Sequence, residues 1–265
     1  MKRKLQSITN ALIPASAVIL LLIIWQVLCL AGVLPGYMLP SPWQVAQAFV
    51  KDFPLMAGHM WTTLFEAFAG LGIGIVMGFV VAFLMQQFHA LYRAFYPILV
   101  ITQTIPTLAI APLLVLWLGY NTAPKITLVV IMTFFPITVG LLDGFKEADP
   151  DAVRLLQAMG ASKTQIFFHI MLPSGLGHFF AGLRMSVSYA VVGAVVAEWL
   201  GGFSGLGVYM TRVKKSYAYD RMFAVIFLIT AISILLMKLV DVVQYFVVPW
   251  KRDDRSKTKM EEYNK

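Results

Sequence analysis

Charge is scarce in this 265-residue chain: only 13 % of residues are Asp, Glu, Lys or Arg, about half of the roughly 25 % found in a soluble domain. That shortage argues against an ordinary water-facing surface. Cysteine is almost missing. The single Cys29 lies in an apolar run, which excludes an intrachain disulfide and a thiolate metal site and leaves the redox compartment unreadable. No G-x-x-x-x-G-K-[ST] segment occurs, so the loop that cradles nucleotide phosphates is lacking and the chain is not expected to hydrolyse ATP. H-E-x-x-H is also missing, and His59, His89, His169 and His178 stand far apart. Each reads as an interfacial or packing histidine, so no metal site, catalytic group or cofactor is expected.

What the chain has is apolar length. It is 59 % hydrophobic with a mean hydropathy of +0.78, and several runs approach the ~20 residues that a bilayer requires. The expected fold is an all-α, polytopic membrane protein: one domain over 1–265 with six spans at about 12–31, 61–86, 94–118, 124–142, 177–199 and 222–248. A loop over 143–176 separates the fourth from the fifth. Lys2, Arg3 and Lys4 ahead of an apolar run resemble a signal peptide. The uncharged stretch from Ala11 to Leu34 has 24 residues, more than the roughly 7–15 of such a peptide, and no A-x-A site follows it. It reads as an uncleaved first span.

Basic residues set the expected orientation. With both termini inside, the inner segments hold 13 Lys and Arg and the outer segments 6. The segment after span 5 opposes this trend, with Arg212, Lys214, Lys215 and Arg221 placed outside. The net charge of +8 then reflects the inner flanks of membrane spans, and nucleic acid is not an expected partner.

Polar and small residues within the spans mark candidate sites. Gly70, Gly74 and Gly78 recur every four residues in span 2, which lets another helix approach closely. That neighbour is either in the same subunit or across a subunit interface. Pro97, Pro106 and Pro112 punctuate span 3, and each removes a backbone N–H. Gln103, Thr104 and Thr107 surround Pro106, giving a polar, kinked centre that reads as a translocation-pathway wall or as a kink satisfied by Thr104 and a neighbouring helix. Glu198, beside Trp199 at the end of span 5, reads as a functional intramembrane carboxylate or as an interfacial one. Glu66 has the same two readings. Lys238 and Asp241, three apart in span 6, are expected to pair with one another.

Between spans 4 and 5 the signals turn to short, well-capped helices. Asp149 is an N-cap residue with Pro150 at the first helical position. Ala152, Leu155, Leu156 and Met159 make an apolar stripe, and Gly160 suits the left-handed residue that closes a helix. Ser162 and Gln165 have capping-box spacing. Ile166, Phe167, Ile170 and Met171 then form a second apolar face, which Pro173 is expected to end. A helix of about nine residues is marginal alone in water, so it must pack on its own subunit, on a partner or on lipid headgroups.

Gly160, Ile170 and the pair Leu172–Pro173 reproduce the G-x9-I-x-LP half of the "EAA" loop. On these residues the chain resembles the membrane subunits of binding-protein-dependent ATP-binding-cassette (ABC) importers. It departs from the pattern where Arg154, Leu155 and Leu156 stand for Glu-Ala-Ala. That departure, with GAVVAEWLGG, SGLG, DRMFAVI and VVPWKR, resembles the branch serving nitrate, taurine, alkanesulfonates and thiamine pyrimidine precursors, and most of all the hydroxymethylpyrimidine-type permeases. The resemblance implies a permease subunit in a bacterial inner membrane, not itself an enzyme, with ATP bound by a separate cytoplasmic ATPase dimer. It further implies a second permease copy and an extracytoplasmic binding protein that delivers a small polar solute. The second loop helix would be the coupling helix: Ile166, Phe167 and Ile170 exposed to a groove on the ATPase, and Lys163 and His169 on its rim. Gln103, Thr104, Pro106 and Glu198 would line the pathway. The competing function is an ion-coupled secondary transporter acting alone, which predicts several buried ionisable residues.

Overall fold

The computed structural model describes residues 2–32, 35, 36 and 38–251, and all regular elements among them are helical. The chain forms two compact units, one of residues 1–59 with 209–228 and one of 60–208 with 229–265.

The smaller unit takes in α1 (Lys2–Leu30), the start of α2 (Pro42–Gln87), the end of α9 (Leu206–Lys215) and the start of α10 (Tyr219–Val247). Helix α2 begins well before the expected residue 61. Ser41 and Gln44 cap it reciprocally: Gln44 N donates to Ser41 Oγ at 3.3 Å and Ser41 N to Gln44 Oε1 at 2.8 Å, with Pro42 first in the helix. Lys51 and Asp52 do not interrupt the helix, and Pro54 lies inside it. Trp25 stacks on Phe227 with ring centroids 6.0 Å apart and donates Nε1–H to Pro40 O at 3.1 Å. Asp52 accepts from the Tyr209 hydroxyl at 2.9 Å and from Arg221 Nε at 3.0 Å. Burial, reinforced by the Asp52 carboxylate, holds the Tyr209 phenol above its ordinary pKa.

The larger unit is organised on an antiparallel pair, α5 (Ala123–Lys146) and α8 (Leu172–Leu200). Small residues let their backbones meet: a Cβ on Gly144 would lie 2.6 Å from Gly175 Cα, and one on Gly140 would lie 2.9 Å from His178 O. Ser186 Oγ donates to Thr133 O at 3.0 Å across the seam. Helix α2 lays Gly70, Gly74 and Gly78 against Val129, Thr133 and Ile137 of α5. This close approach within one subunit is where packing energy is gained when lipid supplies no hydrophobic drive between helices. Asp241 of α10 pairs with Arg184 of α8, not with Lys238 as the spacing suggested, because a tertiary partner outcompetes a weak i,i+3 pair.

The expected span 3 is not one helix. It divides into α3 (His89–Thr102) and α4 (Thr107–Leu118), bent by 97° at the break. Pro97 and Pro112 sit inside these helices, whereas Pro106, extended at ψ 113°, precedes α4. The end of α3 before Pro106 is held by local bonds: Thr102 Oγ1 and Thr104 Oγ1 donate to Leu99 O and Ile101 O at 2.7 and 2.8 Å, and Thr104 N donates to Ile101 O at 2.9 Å. Among the described residues four helices are long and apolar enough to cross a bilayer, or five with the bent pair counted as one. The remaining expected span falls on α1, whose apolar part is Ser16–Leu30.

Candidate functional site

The loop between α5 and α8 has the local structure that its caps dictate. Asp149 Oδ1 accepts from Asp151 N at 2.9 Å at the start of α6 (Pro150–Ala158). Gly160, at φ +80°, closes it. Ala161 N donates to Leu156 O and Gly160 N to Gln157 O, both at 3.0 Å, the double bond of a Schellman turn. Ser162 and Gln165 then form the capping box that opens α7 (Lys163–Ile166).

Two expectations fail here. Pro173 does not end the second helix: residues Lys163–Leu200 form one continuous helical run through a π turn at Phe167–Met171. Leu172 N donates to Phe167 O, five residues back. The shift of register places Pro173 in the first turn of the next α segment, where a missing N–H is tolerated. Nor are Ile166 and Phe167 exposed. Ile166 is 4 % and Phe167 0 % accessible, and Ile170 is half-buried. Phe167 packs edge-on against Phe83 at 4.8 Å and Phe145 at 5.2 Å. Its apolar face anchors the loop to its own chain, because a half-helical turn fused to α8 must bury that face where α8 begins.

The outward surface is a different set. Leu155 of α6 and Met159, the residue that caps its end, are 63 % and 73 % exposed. Lys163, Gln165, Phe168 and His169 are exposed beside them, and Leu172 is half-buried. A cleft of about 200 Å³ lined by Gln86, Val153, Gln157 and Lys163 lies beside α6. Helix α6 is therefore a capped, amphipathic rod seated on one side only. Pattern alone could not separate the buried stripe from the free one, since Ile166 and Leu155 obey the same spacing.

The residues expected along the pathway fall into two places. Gln103, Thr104 and Pro106 occupy the exposed break between α3 and α4. Glu198 is 2 % exposed, and it belongs to a buried polar network that the sequence reading missed. Thr63 donates to Glu198 Oε1 at 2.8 Å and Gly207 N to Oε2 at 2.6 Å; Leu206 N donates to Thr63 Oγ1 at 2.8 Å. Glu198 and Thr63 thus cap the start of α9 with a carboxylate and a hydroxyl. Lys125 binds Glu66 at 2.7 Å nearby, with side chains 6 % and 1 % exposed. Gly205, at φ +126°, turns the chain over Glu198 so closely that a Cβ there would strike its carboxylate. The S-G-L-G motif beside a lone glutamate was the available signal. It lacked only the knowledge that the loop folds back.

Comparisons with known proteins place these features. Residues 70–253 match the family described as "Binding-protein-dependent transport system inner membrane component". The chain is 37 % identical over 253 residues to the formylaminopyrimidine transport permease protein ThiX of Halalkalibacterium halodurans, covering 95 % of this chain and 99 % of that one. It is 26 % identical to a putative aliphatic sulfonates transport permease protein, SsuC, of Bacillus subtilis, over 91 % and 86 %. Among solved structures, the inward-facing MetNI methionine ABC transporter superposes with a TM-score of 0.62 at 20 % identity, covering 75 % of this chain and 97 % of that one.

Proposed function

Starting from the fact that the chain belongs to the family of binding-protein-dependent transport inner-membrane components, hence is an ABC importer permease, we propose that it moves a thiamine pyrimidine precursor inward across a bacterial inner membrane. The observation that carries the substrate is the 37 % identity to a formylaminopyrimidine permease across 95 % of the chain. The second reading is an alkanesulfonate, taurine or nitrate permease, favoured by the more distant likeness to a sulfonate permease. The working assembly is two copies of this chain, two cytoplasmic ATPase subunits and an extracytoplasmic binding protein, with both termini of the permease cytoplasmic.

The geometry supports a lever. Leu155, Met159 and Phe168 give the ATPase an apolar hold, and Arg154, Lys163 and His169 a polar rim, in helix-in-groove fashion. The Schellman turn and the capping box stiffen the joint between α6 and α7. Because α7 continues through the π turn into α8, a displacement of α6 reaches the α5–α8 pair with no flexible linker between. ATP-driven closure of the ATPases would pull on α6, and α8 would carry the motion into the membrane. The test is co-purification and transport: the solubilised chain retains its ATPase, and vesicles holding the full complex take up pyrimidine only with ATP. Uptake indifferent to ATP, or a chain that never associates with an ATPase, would overturn the proposal.

A further inference from the structure

A cleft of about 350 Å³ opens on the face that α5 and α8 share, next to the break between α3 and α4. Its size is at the lower end of small-ligand sites. Phe135 and Asp143 reach it from α5, His178, Met185 and Tyr189 from α8, and Gln103 from the break. Gly140 and Gly182 lie in the seam, and their missing side chains help leave room. Two of the polar groups are already engaged: Lys146 Nζ lies 3.3 Å from Asp143 Oδ1, and His178 Nε2 lies 2.8 Å from Glu147 Oε2. The Gln103 amide and the Tyr189 hydroxyl make no side-chain hydrogen bond among the described residues. The Gln103 amide supplies a donor and an acceptor side by side, and the Tyr189 hydroxyl supplies either.

The charge of this lining selects among ligands. Its carboxylate is Asp143, and neither lysine nor arginine lines it. An oxyanion such as a sulfonate or nitrate needs guanidinium, ammonium or convergent backbone N–H donors. Here the Lys146 ammonium is already taken by Asp143 at 3.3 Å, so an oxyanion would meet two aromatic rings and no free cation, and a charge moved from water without a partner is strongly disfavoured. A neutral, planar heterocycle carrying an amino group fits instead. Its faces suit Phe135 and Tyr189. An amino group beside a ring nitrogen matches the paired acceptor and donor of a primary amide. The second amino proton can go to Asp143.

Resting on the pyrimidine reading above, we infer that this cleft is a substrate station inside the permease, recognising an uncharged aminopyrimidine through Gln103, Asp143 and Tyr189 and turning oxyanions away. Selectivity is then exercised twice, at delivery and again within the membrane subunit.

The test uses the complete complex in proteoliposomes with radiolabelled hydroxymethylpyrimidine, and the permease–ATPase complex without binding protein for direct binding. Gln103→Ala and Tyr189→Leu are expected to lower binding and uptake by about tenfold each, the scale of one lost hydrogen bond or aromatic wall. Tyr189→Phe keeps the ring and is expected to lose about two- to fivefold. All three variants should co-purify with the ATPase at the wild-type yield, which separates a lost site from a lost fold. Excess taurine should not displace the pyrimidine. If the wild type imports pyrimidine and the variants bind and transport it unchanged, this inference falls while the substrate reading stands. If the wild type imports taurine and not pyrimidine, both fall.

Discussion

Lys125 Nζ lies 2.7 Å from Glu66 Oε1, and both side chains are shut away from solvent. The two residues are 59 positions apart. In sequence, Lys125 read as one more basic residue of an outer loop and Glu66 as an isolated charge early in a span. Folding sets them together at the end of the α5–α8 pair where Glu198 accepts from Gly207 N in the first turn of α9. One ammonium thus stands among two buried carboxylates. Removing it leaves buried negative charge uncompensated.

Lys125→Met is therefore expected to destabilise the detergent-solubilised protein by about 3–5 kcal/mol, because breaking a buried pair strands the surviving charge. The double variant Glu66→Leu/Lys125→Met should recover most of the loss. Thermal unfolding followed by size-exclusion chromatography reads both. A single variant as stable as the wild type would show that the pair is dispensable.

Gly205→Ala combines a left-handed backbone with a Cβ directed into Glu198. It should lose about 1–3 kcal/mol or more through backbone strain alone, and the S-G-L-G turn should become protease-sensitive. Gly58→Ala, where the added Cβ meets nothing within 4 Å, serves as the helix-interior control and should be neutral or slightly stabilising.

On the coupling loop, Leu155→Asp with Met159→Asp should abolish co-purification of the ATPase while leaving membrane insertion and melting unchanged, since both side chains are exposed. Phe167→Ala should do the reverse of a docking variant: a loss of about 3–5 kcal/mol of stability from a core cavity, with any ATPase defect following from unfolding. Gly160→Glu places a charged, non-glycine residue at φ +80°, costing roughly 1–2 kcal/mol of strain, and should weaken ATPase association with insertion intact. Normal co-purification of the Leu155/Met159 variant would remove α6 from the docking surface.

The Tyr209 phenol titrates above its ordinary value. Its proton is held more tightly in the folded state, so its contribution to stability is complete below about pH 10, the unfolded tyrosine value, and is lost as pH rises further. Tyr209→Phe should flatten the alkaline limb of a stability–pH curve above about pH 10, which melting at stepped pH measures. An unchanged limb would assign alkaline loss to other groups.

Much of this molecule was readable without coordinates. Apolar run lengths gave helices where α5, α8 and α10 stand, because a helix in lipid must satisfy its own backbone and its length follows from bilayer thickness. The caps were equally legible: Asp149, Gly160, Ser162 and Gln165 act on neighbours within three or four residues, so local spacing states their geometry in full. Gly160 with Ile170, Leu172 and Pro173 pointed to the importer family.

Only tertiary structure decided which partners those local pieces found. Ile166 and Leu155 have the same helical periodicity, yet one is enclosed and the other free, because enclosure depends on where Phe83 and Phe145 arrive from distant helices. Pro106 breaks its helix and Pro173 does not, since the outcome rests on what replaces the missing hydrogen bond. Glu66, Lys125 and Glu198 are three separate charges along the chain and one network in space. Short-range geometry is written in neighbouring residues, whereas burial and charge pairing belong to contacts between elements far apart in the chain.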